Sequence, residues 1–225
     1  LLRGEGDETI SSRASALGWD SSGNVLVMTG GLGHGDALDH VRRLARDRGL
    51  GCLSAVQGER LVVVLGGVGE SGRPAEELTE VFADGPVVIG PVVASLSDAK
   101  LSADSAHAGL RVAHGWPEAP RPVHADDLLP ERALGGDIPA RRALVEQVYA
   151  PLAAAGGAVL ETVESYLAHG SSIEAAGRTL FVHANTVRYR LKRATEVTGL
   201  SPTHPRDSYT LRLALTLGRL DPPEL

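Results

Sequence analysis

The first hundred residues alternate between short runs of adjacent apolar residues and stretches whose apolar positions fall three and four apart. Asn24–Thr29 (NVLVMT) is a run that ends in glycines, the pattern of a buried strand. Asp36–Arg48 follows with apolar residues at 37, 38, 41, 44 and 45, one stripe of a helix, and Gly49 stands where a helix stop belongs. Cys52–Gln57 and Arg60–Leu65 are strand-like and separated only by Gly58-Glu59. Glycine at the first central position suits a type II′ turn, which makes the pair a hairpin. Pro74–Ala83 reads as a helix with proline near its start, and Val87–Ala94 as a further strand. The order β-α-β-β-α-β is that of a split βαβ, ferredoxin-like domain with a mixed or antiparallel sheet.

Ser102–His114 predicts one more helix packed on that domain. Gly115–Pro130 then carries Pro117, Pro120, Pro122 and Pro130, too many for the interior of an element, so it reads as a connector. Everything beyond has helical spacing: Pro139–Ala155, Val159–His169, Ser172–Leu180, Asn185–Thr198 and Asp207–Leu220. The expected fold class is α+β, with a ferredoxin-like βαββαβ domain (residues 1–120), a helical linker (121–158) and an all-α domain (159–225). The last helix has Leu211, Leu213, Leu215, Leu217 and Leu220 around its circumference, more than one buried stripe needs, which points to central burial or a subunit interface.

The segment Gly170–Gly199 holds the densest chemistry. Ser171 with Glu174 three residues later forms a capping box that starts a short helix. Ala175, Ala176 and Gly177 inside it allow a second helix to approach closely. Phe181 to Ala184 form a turn, and Asn185 is placed to cap the next helix, whose Val187, Leu191 and Ala194 face inward. The opposite face carries Arg188, Arg190, Lys192 and Arg193, with no acidic side chain between Arg178 and Lys192. A charge cluster alone is more often a solvated face. Short helix, tight turn and basic second helix together make a helix-turn-helix, whose second helix enters the major groove of double-stranded DNA by its N-terminal part. His183, Asn185, Thr186, Arg188 and Tyr189 occupy that leading turn or its approach, where arginine can donate two bonds to guanine. Arg190, Lys192 and Arg193 are placed for phosphates.

Charge distribution agrees. The net charge is -6, which by itself argues against a polyanion partner, yet residues 159–219 are net positive while residues 1–158 are net negative. The single cysteine, Cys52, excludes an internal disulfide and fits a reducing compartment. No apolar run approaches the roughly 20 residues of a membrane helix, and Leu1–Glu8 is too polar for a signal peptide. These features predict a cytoplasmic protein with no membrane partner. Arginine far outnumbers lysine beside abundant Ala and Gly, a bias of GC-rich bacterial genomes, and a start at Leu1 rather than Met suggests a piece of a longer chain lacking an N-terminal sensor region. The eight histidines show no zinc spacing and no serine sits in a nucleophile elbow, so neither metal nor cofactor is expected.

Phe181-Val182-His183-Ala184-Asn185-Thr186-Val187-Arg188-Tyr189-Arg190-Leu191 resembles the C-terminal helix-turn-helix signature of the PucR and CdaR-type regulators, and the likeness runs through Thr198-Gly199 and Pro205-Arg206-Asp207 to Leu211–Leu220. Asp127-Leu128-Leu129-Pro130-Glu131-Arg132-Ala133-Leu134 is similar to that family's linker, and Leu1-Leu2-Arg3-Gly4 with Ala16-Leu17-Gly18-Trp19-Asp20 to the start of its middle domain. The resemblance implies a middle domain like the GGDEF fold of diguanylate cyclases. Cyclases carry their signature at the central hairpin, and here that turn is Gln57-Gly58-Glu59-Arg60, without paired glycines or adjacent carboxylates, so cyclase activity is not expected. Gly135-Gly136-Asp137 resembles half of the signature but continues Ile-Pro and reads as a helix stop followed by an Asp cap.

The reading is therefore a sequence-specific transcription regulator rather than an enzyme. Its expected operator is palindromic and its expected form a homodimer, because one recognition helix reads only a few base pairs. An unidentified small-molecule effector would have its first candidate site at Gly30–Gly35, although a plain flexible loop is the commoner meaning of such a segment. Two other classes compete: a nucleotide-binding receptor or enzyme on the cyclase-like domain, and an architectural DNA-binding protein like Fis, which the module also resembles at Thr186-Val187-Arg188.

Overall fold

The computed structural model describes residues 14–17, 19, 23–69 and 72–220, with Arg73 and Pro74 by backbone only. The likeness drawn at Leu1–Gly4, Gly18 and Asp20 lies outside these. The chain divides into two compact units, residues 1–131 and 132–225.

In the first unit, β1 (Val25–Leu32), α1 (Ala37–Asp47), β2 (Gly51–Gln57), β3 (Arg60–Gly66), α2 (Arg73–Glu76), β4 (Phe82–Ile89), α3 (Ala99–Val112) and β5 (Val123–His124) follow in chain order. The sheet order is β2-β3-β1-β4-β5. β1 and β2, joined through α1, flank β3, which is the split βαβ expected from the sequence. The pairs β2·β3, β3·β1 and β1·β4 are antiparallel, and β5 joins β4 in parallel. Period-two alternation sends Leu26 and Met28 of β1 toward a core with Val41, Ala45, Val63, Leu65 and Leu78. Val25 and Val27 face the other way, onto Ala99 and Ala103 of α3. The sheet is thus covered on both faces. The hairpin turn falls at Gly58-Glu59 with Gln57 opposite Arg60, and Gly58 takes φ 63, a value that favours glycine.

Two boundaries differ from the sequence reading. The helix expected over Pro74–Ala83 continues from α2 as a 3₁₀ turn, Glu77–Val81, and gives way to β4 at Phe82. The strand expected at Val87–Ala94 starts there too and ends at Ile89. Along Phe82–Pro86 the carbonyls of Phe82, Ala83 and Gly85 accept from the Arg121 guanidinium at 3.3, 2.9 and 2.8 Å, which satisfies an irregular edge that proline cannot serve as a donor. That bond, with β5, places much of the proline-bearing segment in the first unit. The sequence sets the domain boundary near residue 120, whereas the units divide between Glu131 and Arg132.

Gly30, Gly31 and Gly33 have a packing role. Gly30 and Gly31 lie inside β1, and a Cβ on Gly30 would stand 2.9 Å from Phe82 Cδ1, while one on Gly33 would overlap the Val81 carbonyl. Ser102, fully buried on α3, accepts the Val27 N–H at 2.9 Å where β4 has ended. Ser102→Ala is expected to leave that buried donor unpaired and cost about 1–3 kcal/mol in urea unfolding. Burial pushes the Cys52 thiol up to about 11 against the opposing charge of Arg42, so it stays protonated near neutral pH.

The second unit is helical: the end of α4 (Leu129–Leu134), then α5 (Ile138–Ala154), α6 (Gly157–Ala168), α7 (Ile173–Thr179), α8 (Ala184–Thr198) and α9 (Pro205–Leu220). Part of the expected linker is therefore core here. Val145–Tyr149 of α5 forms a π turn that packs on α9. Gly218 of α9 meets the Tyr149 ring so closely that an added Cβ would overlap it. Gly218→Ala is expected to cost about 1–3 kcal/mol, read as a lower urea midpoint, despite alanine's better helix propensity. Leu211, Leu215 and Leu217 are buried within the chain and Leu220 is 71% exposed. Asp137 stands at the N-cap position of α5, but its carboxylate accepts from Arg132 Nε at 2.8 Å rather than capping the helix. Among the described residues no single helix is long and apolar enough to cross a membrane.

Candidate nucleic-acid interface

Three helices build this region, with α7 and α8 forming the helix-turn-helix and α6 packed against both. Burial of Val187, Leu191 and Ala194 fixes which face of α8 turns inward, as their spacing predicts. Gly177 lets the helices close up: a Cβ there would lie 2.9 Å from the Val182 carbonyl oxygen and 3.7 Å from Val187.

The caps differ from the sequence reading by one or two residues. Ser172, not Ser171, caps α7, its Oγ accepting from the Ala175 N–H at 3.2 Å. Ser171 takes φ 61 and its N–H bonds the Tyr166 carbonyl, so it closes the preceding turn and cannot hold the extended backbone of an N-cap. α8 begins at Ala184, and its cap is His183, whose Nδ1 accepts from the Asn185 N–H at 3.2 Å. Asn185 therefore sits inside the first turn, its side chain free of capping. The turn runs Leu180–His183, with Phe181 at φ 55 and 95% exposed. An aromatic residue there pays backbone strain without burying its ring.

His183, Asn185, Arg188, Tyr189, Lys192 and Arg193 are exposed along one side of the module, and Thr186 is half-buried. Arg188 donates to Asn185 Oδ1 at 2.9 Å and lies 3.9 Å from Glu174 of α7. Arg193 pairs with Glu196 at 3.2 Å, and Lys192 has no partner among the described residues. Arg190 behaves differently. It is half-buried and donates to Thr162 Oγ1 on α6 at 3.3 Å, tying α8 to its support. Two further cations of this unit lie outside the α8 row. Arg178 is exposed on α7, separated in sequence from the basic cluster, and Arg206, at the start of α9, lies 5.6 Å above the Tyr209 ring. Their signal was only an isolated cation, which spacing alone does not distinguish from surface charge.

Electrostatically, the exposed side of α8 offers donors and cations with a single short ladder of carboxylates, Glu174 and Glu196, each already paired. Such an array can meet phosphates and base edges. Among the described residues, no three His, Cys, Asp or Glu side chains are grouped as metal ligands.

Comparison with known proteins places these observations. Residues 159–217 match the PucR C-terminal helix-turn-helix domain, and residues 3–112 match a GGDEF-like domain. A regulator of polyketide synthase expression from Bifidobacterium adolescentis, known from its crystal structure, superposes with a TM-score of 0.79 at 31% identity, covering 98% of this chain and 97% of that one. An uncharacterized protein of Mycobacterium tuberculosis is 44% identical over 99% of this chain, and the chain spans 57% of that relative's length. The purine catabolism regulatory protein of Bacillus subtilis is 40% identical over 62 residues, 28% of this chain and 12% of that protein.

Proposed function

The chain belongs to the family of PucR-type regulators, a GGDEF-like domain followed by the PucR C-terminal helix-turn-helix domain, and on that premise we propose that it is a sequence-specific DNA-binding regulator of transcription with α8 as its recognition helix. The observation that carries this reading is the exposed row of Asn185, Arg188, Tyr189 and Lys192 on a helix seated against α7 through Gly177. Arg188 reads a base edge, and Lys192 and Arg193 meet phosphates. Arg190 braces α8 on Thr162 through Nη1 and meets phosphate through its remaining N–H donors.

The protein works as a homodimer on a palindromic operator in the cytoplasm, one α8 per half-site. The first domain transmits a signal or mediates dimerisation and performs no nucleotide chemistry, because its hairpin turn, Gln57-Gly58-Glu59-Arg60, carries one carboxylate. Incubation with GTP and Mg²⁺ should yield no cyclic dinucleotide; product formation would favour the enzyme class instead.

The experiment that tests the proposal is selection of duplexes from a random pool by the 225-residue chain. Enriched sequences should share two inverted half-sites roughly one DNA turn apart. A pool with no common sequence would return the architectural reading.

A further inference from the structure

Arg188 is hydrogen-bonded within α8 and lies within ion-pair range of a carboxylate on α7. Asn185, three residues earlier on α8, accepts from Nη1 at 2.9 Å, and Glu174 Oε1 on α7 stands 3.9 Å from Nη2. Glu174 is where a capping box would turn a carboxylate back onto the helix start, but Ser172 caps α7 through the Ala175 N–H and Glu174 faces across to α8. The Glu174 side chain is 65% exposed, so burial does not dictate this orientation.

From this geometry we propose that Glu174 is a positioning residue that sets DNA specificity: it orients the Arg188 guanidinium for a base edge and, by its own charge, weakens the hold of the same face on phosphates. The inference rests on the DNA-binding reading above. A guanidinium presents several N–H donors in a rigid fork, so a partner that engages one edge fixes where the others point. Fixing the long side chain beforehand also lowers the entropy lost when it docks. The second effect is electrostatic. Binding to random DNA is driven by phosphate neutralisation, whereas a selected site adds base contacts. A carboxylate on the contact face therefore penalises random DNA more, which is specificity gained through repulsion.

Four proteins test this on the selected duplex and on a random duplex of equal length, across a range of salt: wild type, Glu174→Gln, Glu174→Asp and Glu196→Gln. Glu174→Gln should bind random DNA roughly three- to tenfold more tightly at low salt. Its specificity ratio should fall about tenfold as Arg188 loses its guide. Glu174→Asp keeps the charge and shortens the reach, so its ratio should fall while its random-DNA affinity stays near wild type. Glu196→Gln removes the charge beside Arg193 and leaves Arg188 alone; it should tighten random DNA as Glu174→Gln does, with a smaller fall in the ratio because Arg188 keeps its guide. Unchanged ratios in both Glu174 variants would overturn the proposal, as would equal loss on both duplexes. Thermal melts confirm that each variant is folded. A wild-type protein that did not discriminate would instead remove the DNA-binding reading itself, and the inference with it.

Discussion

Replacing Asp137 with alanine is expected to destabilise the helical unit by about 2–4 kcal/mol, the cost of taking one charged hydrogen-bond partner from a buried guanidinium. Arg132 and Asp137 are only 4% and 10% exposed, and their atoms meet at 2.8 Å. Removing the carboxylate takes from the guanidinium a partner that water cannot replace without opening the fold. A surface pair of the same geometry would contribute far less, because solvent screens it and long side chains pay entropy to hold it. The consequence reaches beyond the pair, since Asp137 marks the start of α5 and α5 carries the π turn on which α9 packs. For a domain of this size, a fall in melting temperature on the order of 10–20 °C should accompany the substitution. Replacing both residues by apolar ones of similar volume should recover much of the loss. A shift of a degree or two in the single variant would show that the pair does not hold this corner.

Arg188→Ala and Lys192→Ala are expected to fail in different ways. Arg188 stands near the N-terminal end of α8, and losing a bidentate base contact costs about 1–3 kcal/mol, or roughly ten- to a hundredfold, on the selected site. Random DNA should lose much less, so discrimination falls. Lys192 is exposed and unpartnered among the described residues, as suits a phosphate contact. Its removal should weaken all DNA about equally and lower the salt slope by about one unit. Anisotropy titrations on both duplexes at several salt concentrations separate the two patterns. An Arg188→Ala protein with intact site preference would show that the reading face has been misplaced.

The legible parts of this chain were those whose cause is local. The stripe of α1, the Gly58-Glu59 hairpin and the inward face of α8 follow from spacing within a few residues, and the structure carries all three. Gly177 was legible as a small residue between helices, though not as the contact that admits the Val182 carbonyl. What escaped depended on distant partners or on near-equivalent neighbours. β4 could not be read through Asp84-Gly85-Pro86 because its carbonyls are satisfied by Arg121, 36 residues beyond Gly85. The bracing bond of Arg190 could not be read because Thr162, its partner, lies 28 residues away on α6. The caps slipped because adjacent Ser171 and Ser172 have the same chemistry, and only backbone conformation tells them apart. Asn185 was the better capping residue by type, yet an imidazole two positions earlier took the role.

That local legibility explains why the helix-turn-helix was readable in outline from spacing alone, whereas a regulatory input was not. A helix-turn-helix is a short-range object: two helices, a turn and a face. A regulatory input depends on how a whole domain responds to a ligand, and no spacing in residues 24–131 encodes one. The Gly30–Gly35 segment shows the difference, since Gly30 and Gly33 answer to Phe82 and Val81, far along the chain.

The most direct test of the central claim is the affinity of the 225-residue chain for its selected palindromic duplex relative to random DNA at physiological salt. A sequence-specific regulator reading bases through α8 should hold a ratio of about 10³ or more, retained as salt rises because base contacts release no counterions. A ratio near one, with both affinities falling along the same salt slope, would contradict it and leave a protein that grips the DNA backbone alone.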